Sequence, residues 1–156
     1  MTHIRTTHVG SLPRSQEVTD FLFSKEKNQA YNATHFDEVM KKHVDLIVSR
    51  QKDCGIDIVS DGETSKISYA TYVKDRYTGF SGDSPRNAPA DLIMFPTFLQ
   101  RLADSGGTPE YTRPMCTGEV KPLSNSELKK DISNLKSAIK KYGNIHGFMN
   151  AASPGV

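Results

Sequence analysis

Gly55-Ile56-Asp57-Ile58-Val59-Ser60-Asp61-Gly62-Glu63 is the stretch that decides the fold. Residues 56–60 are rich in β-branched side chains, which suit a pleated surface, and Asp61-Gly62-Glu63 ends the run. Just upstream, Phe36, Val39, Met40, His43, Leu46, Ile47 and Arg50 recur at spacings of three and four, which is one face of a helix. Thr34 offers an N-cap with Asp37 three residues on, a variant of the capping box. Cys54-Gly55 supplies the stop, because glycine suits the left-handed position after a helix. A helix joined almost at once to a strand is the signature of an αβ unit.

Working outward, residues 6–10 form a candidate strand that breaks at Gly10-Ser11-Leu12-Pro13. Residues 115–120 form another, and Ser124-Asn125-Ser126-Glu127 then opens a helix by a capping box. Leu128, Ile132, Leu135, Ala138, Ile139 and Tyr142 make its apolar stripe, and Gly143 ends it. A last strand starts near Ile145 and runs through Phe148 to about Ala151. Loops dense in Pro, Gly and Asp occupy residues 81–91 and 105–109; between them a weaker helix takes Pro96 in its first turn and ends at Asp104.

Strands alternating with helices predict right-handed βαβ units and a parallel sheet. The polar motifs Gly10-Ser11, Asp61-Gly62-Glu63, Gly118-Glu119 and Ser153-Pro154-Gly155 all fall at C-terminal strand ends. Active sites lie there in both (β/α)8 barrels and open doubly wound sheets. A full barrel takes about 250 residues. The expected fold is therefore α/β, the first half (about four βα units) of a TIM (β/α)8 barrel. Residues 1–156 would be one incomplete barrel domain, the N-terminal portion of a longer catalytic domain.

Composition narrows the function. With 36% hydrophobic and 24% charged residues the chain is globular, though polar for a sheet covered on both faces. Its 20 basic and 18 acidic residues leave a net charge of +2, without the clustered basic face of a nucleic-acid module. Lys129, Lys130, Lys136, Lys140 and Lys141 are interrupted by Asp131 and suit the wet side of a helix. No apolar run of about 18 residues exists for a membrane span, and the opening MTHIRTTHVGS has no signal-peptide character, so a cytoplasmic location is expected. Cys54 and Cys116 lack paired spacing and are expected as free thiols, Cys116 in the core.

The motif Thr6-Thr7-His8-Val9-Gly10-Ser11-Leu12-Pro13-Arg14 resembles the opening of the catalytic barrel of cobalamin-independent methionine synthases, closest to their single-barrel relatives. Residues 55–63 resemble the second-strand motif of that family, and residues 72–80 resemble the next segment of its single-barrel members. Arg113-Pro114-Met115-Cys116-Thr117-Gly118 and Ala151-Ala152-Ser153-Pro154-Gly155 are similar to the third and fourth strand ends. The resemblance implies that homocysteine sits at the barrel mouth, its carboxylate held by Val9, Gly10 and Ser11 and its amine by Glu63. His8, Asp61, Lys66 and Tyr72 would stand just behind. The chemistry agrees: a glycine lets backbone N–H groups approach an anion, a serine adds a donor, and a carboxylate matches an ammonium.

The resemblance further implies methyl transfer to the homocysteine thiol, giving methionine, from a methyltetrahydrofolate-type or corrinoid donor. Zinc would hold the thiolate, with ligands beyond residue 156; no metal is expected on this chain, which alone would be inactive. No residue matches a zinc-ligand motif, and the scattered His35, His43 and His146 lack ligand spacing. Two alternatives stand beside this: a related zinc-dependent thiol alkyltransferase of the coenzyme M and epoxide type, or a non-catalytic half-barrel binding module. Open sheet edges predict a homodimer or a remnant of a longer chain as partner states, with no nucleic acid or membrane.

Overall fold

The computed structural model describes residues 3–84, 90–104, 113–143 and 145–151. In chain order they form α1 (Gln16–Glu26), α2 (Ala33–Asp53), β1 (Ile58–Ser60), α3 (Tyr69–Lys74), β2 (Phe80–Ser81), α4 (Ala90–Met94), α5 (Pro96–Asp104), β3 (Met115–Cys116), α6 (Ser126–Tyr142) and β4 (His146–Phe148). Parts of the loops expected at 81–91 and 105–109, and Ser153-Pro154-Gly155, lie outside the described residues.

The long helix α2 organises the core. Its first half packs on α1, burying Val18, Leu22, Phe36, Val39 and Met40 together. Its second half meets β1 and α6, burying Val44, Val48, Val59, Leu135 and Ala138. The buried arc is shifted from the expected stripe: Val44, Val48 and Gln51 are buried in addition, whereas Leu46, 42% exposed, and Arg50 face outward. The N-cap is Asn32 rather than Thr34, and its side chain accepts from the His35 N–H at 3.0 Å. Asparagine outranks threonine as a cap, which accounts for the earlier start. At the other end Gly55 takes φ +78°, the left-handed stop expected of it.

Helix α1 has no counterpart in the sequence reading. Ser15 caps it by accepting from the Val18 N–H, and only Val18 and Leu22 are buried along it. Two apolar contacts make a faint periodic signal. Helix α6 ends as expected at Gly143, but it opens from Asn125 without the expected capping box, and Leu128 stays 40% exposed, while Asp131, Leu135 and Ala138 are its buried residues. Lys130–Asp37 at 2.8 Å and Lys141–Asp45 at 2.6 Å tie its outer face to α2.

The parallel sheet differs from the expected four units. β1 pairs with β4 in parallel register, Ile58 opposite His146 and Ser60 opposite Phe148. On the other side Thr7 makes a parallel bridge to Ile58, so the expected strand at residues 6–10 reduces to that bridge. Residues 115–120 do not enter this sheet. Instead β3 pairs antiparallel with β2, Phe80 opposite Cys116, and Thr117 N–H donates to Gly79 C=O at 2.7 Å.

The reason is composition. A central parallel strand is covered on both faces and needs a continuous apolar run. Thr117-Gly118-Glu119 interrupts one, so Met115 is 44% exposed and Cys116 is exposed, not in the core. Gly79, at φ +81°, permits the ribbon's close approach: a Cβ there would stand 2.6 Å from Gly118 O. The described residues therefore form a mixed α/β arrangement with three parallel positions, and these do not close into a barrel. Among them no helix is long and apolar enough to cross a membrane.

The Thr7 segment is anchored by Asp57. Its carboxylate accepts from Thr6 N–H at 2.6 Å and Thr6 Oγ1 at 3.0 Å, and lies 2.7 Å from His3 Nε2. The Thr6 N–H and then the His3 ring hold the Asp57 carboxyl down at about 2. A depressed folded value means the contribution is whole above the unfolded value of 3.8 and is lost as pH falls toward about 2. The Thr6 amide resonance should therefore titrate with a midpoint near 2. A midpoint near the ordinary value would show that the carboxylate does not hold this segment.

Candidate functional site

Three parallel segments deliver their C-terminal ends to one rim: Gly10-Ser11 after the Thr7 bridge, Asp61-Gly62-Glu63 after β1, and Asn150 after β4. Ser11 Oγ donates to Glu63 Oε2 at 2.7 Å, and Asn150 Nδ2 donates to Glu63 Oε1 at 2.5 Å. One carboxylate is thus gripped from both neighbouring segments.

The turn that presents Glu63 is strained and well supported. Glu63 has φ +53°, a left-handed conformation that disfavours a residue with a Cβ by about 1–2 kcal/mol. Asp61, only 2% exposed, holds it: Asp61 Oδ1 accepts from Glu63 N–H at 3.1 Å, and Asp61 C=O accepts from Thr64 Oγ1 at 2.7 Å. Gly62 takes φ +61° beside Ile47 and Leu12, where a Cβ would stand 2.9 Å from Ile47 Cγ2. Leu12 N–H donates to Gly62 C=O at 3.1 Å, fastening the first segment to the turn.

Arg14 completes the fastening. Its guanidinium donates to the carbonyls of Glu63 (2.8 Å), Thr64 (3.2 Å) and Lys66. Burial lowers the Arg14 pKa, against the pull of Glu63 and Asp61, yet an arginine stays charged at any ordinary pH.

Gly10 takes φ +104°, and Val9 is 65% exposed at the edge of the rim. Among the described residues no oxygen accepts from the main-chain N–H groups of Val9, Gly10 or Ser11. His8 is half-buried beneath them, and its Nε2 is enclosed without a hydrogen-bond partner among the described residues. Free amides beside a glycine in the left-handed region are suited to an anion.

Lys66 and Tyr72 lie on the far side of Asn150. Lys66 Nζ donates to Asn150 C=O at 2.9 Å and sits 5.1 Å from the Tyr72 ring centre. The Arg76 guanidinium stacks on the same ring at 3.3 Å and pairs with Asp131 at 3.5 Å. Burial pushes the Tyr72 phenol and the Asp131 carboxyl up, so Tyr72 stays protonated at neutral pH. Lys66, Tyr72 and Arg76 wall a cavity of about 660 Å³ that shares Asn150 with the rim.

The sequence alone singles out neither Arg14 nor Asn150 for a role. Arg14 stands inside the opening motif, but its acceptors lie 49 to 52 residues away. Asn150 lies 87 residues from Glu63, and only the shared rim reveals their contact. The Gly118-Glu119 motif, carried on the antiparallel ribbon, is no part of this parallel rim.

The turn at Gly10-Ser11 and the gripped Glu63 carboxylate thus meet at the C-terminal ends of parallel segments, the place where α/β enzymes carry their small-molecule sites. Residues 4–84 match the family described as cobalamin-independent synthase, catalytic domain, and the chain belongs to that family. Among curated proteins it is similar to the 5-methyltetrahydropteroyltriglutamate–homocysteine methyltransferase of Neisseria gonorrhoeae, at 26% identity over 148 residues. That match covers 81% of this chain and 19% of the relative. The protein of the same name from Corynebacterium glutamicum is 23% identical over 147 residues, with the same coverage. The one from Desulforamulus reducens is 29% identical over 75 residues, covering 48% of this chain and 10% of the relative. The chain thus spans a fifth or less of the length of these relatives.

Among the described residues no three His, Cys, Asp or Glu side chains come together in a way that could hold a metal ion. They do not meet the zinc ligand set that the family resemblance implies.

Proposed function

We propose that this chain supplies the homocysteine-binding strand ends of a methyltransferase barrel, as the N-terminal portion of a longer catalytic domain of TIM type. The observation that carries the reading is the rim itself: Ser11 and Asn150 both bonded to Glu63, beside the amides of residues 9–11, which have no acceptor among the described residues. An α-amino acid brings a carboxylate and an ammonium a few ångströms apart, and this rim has a partner for each.

Binding would exchange one hydrogen bond for another. In the free site Ser11 spends its only hydroxyl proton on Glu63 Oε2. An incoming ammonium donates to that oxygen in its place, and Ser11 turns its proton to the bound carboxylate. The amides of Val9, Gly10 and Ser11 complete the cradle. Glu63 then makes a charge-assisted bond, and the thiol arm is left pointing along the rim. In the reaction the sulfur forms a bond to the methyl carbon, the bond to the donor breaks with its electron pair leaving on the donor, and the thiol proton is released. This chain's share is to bind and orient the acceptor. A methylated folate or a corrinoid is the proposed donor class, the former consistent with the substrate in the relatives' names.

The rival thiol, coenzyme M, carries a sulfonate and no ammonium. Glu63 at the centre of the rim repels a sulfonate and has no cation to meet. Calorimetric titration of the chain should show saturable binding of homocysteine and none of coenzyme M at equal concentration. Equal binding of both thiols, or binding of coenzyme M alone, overturns the homocysteine assignment.

A further inference from the structure

We infer that Asn150 is a direct ligand of the substrate ammonium, acting beside Glu63 and setting the preference for an α-amino thiol over its des-amino analogue; this rests on the homocysteine reading.

The orientation of the amide follows from charge. A carboxylate only accepts hydrogen bonds, so the Asn150 group 2.5 Å from Glu63 Oε1 must be the NH2. The amide oxygen is therefore the atom left without a bond to Glu63. Asn150 Oδ1 is buried and has no hydrogen-bond partner among the described residues. A buried acceptor left open is costly unless something fills it, and the cost is met when a donor binds.

Asn150 cannot swing away to find water. Its own carbonyl takes the Lys66 ammonium at 2.9 Å, and its Nδ2 is held by Glu63. Lys66 is only 8% exposed, so the backbone of Asn150 is pinned by a buried cation. The open oxygen thus belongs to an amide that is itself bonded to the carboxylate that would bind the ammonium. An ammonium has three N–H donors. Glu63 takes one, and Asn150 Oδ1 is an open acceptor beside it for a second. A des-amino thiol carboxylate offers neither donor and leaves Oδ1 unfilled.

The test is a pair of titrations, with homocysteine and with 4-mercaptobutanoate, on wild type, Asn150→Ala and Asn150→Ser. Each variant should lose about tenfold in homocysteine affinity while its mercaptobutanoate affinity stays within about twofold. Mercaptobutanoate binding also reports that the variant is folded. A role exercised only through Glu63 is separated by a double-mutant cycle. In the Glu63→Gln background, Asn150→Ala should still weaken homocysteine several-fold; loss of the effect there overturns the direct contact. Equal weakening of both ligands, or no change in either, also overturns it. If wild type binds homocysteine and Glu63→Gln weakens it while Asn150→Ala does nothing, only this inference falls. If wild type does not bind homocysteine, the parent reading falls with it.

Discussion

Replacing Gln51 by methionine lowers the stability of the chain by about 3–4 kcal/mol, a drop of roughly 10 °C in melting temperature. Gln51 sits on α2 with 5% exposure, and its amide does for the end of β1 what a neighbouring strand would do. Gln51 Oε1 accepts from Ser60 N–H at 3.0 Å, and its Nε2 donates to Ser60 C=O at 2.8 Å. Ser60 is fully buried, so no water can replace either bond. Methionine keeps the volume and the helix propensity and removes both partners. Two buried main-chain groups then go unsatisfied, at about 1–3 kcal/mol each. The effect should reach the site, because Asp61 comes directly after Ser60 and positions Glu63. Thermal unfolding monitored by circular dichroism checks this. A melting temperature within about 2 °C of wild type would show that β1 does not depend on the amide.

Glu63→Gln should weaken homocysteine binding by about 30- to 150-fold, the equivalent of roughly 2–3 kcal/mol for a hydrogen bond to a charged group. The substitution keeps shape and removes charge. In the free protein it also disturbs little: Ser11 Oγ can still donate to the amide oxygen, while Asn150 Nδ2 loses one acceptor. Melting temperature should therefore move by only a few degrees while affinity collapses. Isothermal titration on both proteins separates the two effects. Unchanged affinity would mean that Glu63 is a structural carboxylate that merely ties Ser11 to Asn150.

The parts of the fold legible in the sequence are those with long periodic signals. Helices α2 and α6 carry repeated apolar spacings, and the breaks at Gly55 and Gly143 fall where the left-handed conformation is needed. The strand at β1 shows in its β-branched run. Helix α1 is faint in the sequence because Val18 and Leu22 are its only fully packed residues. Residues 115–120 mislead for a different reason. A short strand does not declare its partner, and the antiparallel pairing with β2 rests on backbone approach at Gly79, which no side-chain pattern encodes.

For the site, strand-end logic places Ser11 and Glu63 on a common rim, and the structure brings them within a hydrogen bond. Pattern alone does not reveal the second grip. Asn150 and Arg14 act through bonds that span tens of residues, and an asparagine or arginine in a loop has many ordinary uses. The left-handed Glu63 is equally silent in sequence, since it comes after a glycine that would be expected to absorb the turn by itself.

The most direct measurement is a homocysteine titration of the chain read residue by residue through backbone amide resonances. Saturable shifts are expected at Gly10, Ser11, Glu63 and Asn150, with little change along the outer face of α6. Saturable binding with its shifts elsewhere, and these amides unmoved, would contradict the claim that the three strand ends form the amino-acid site.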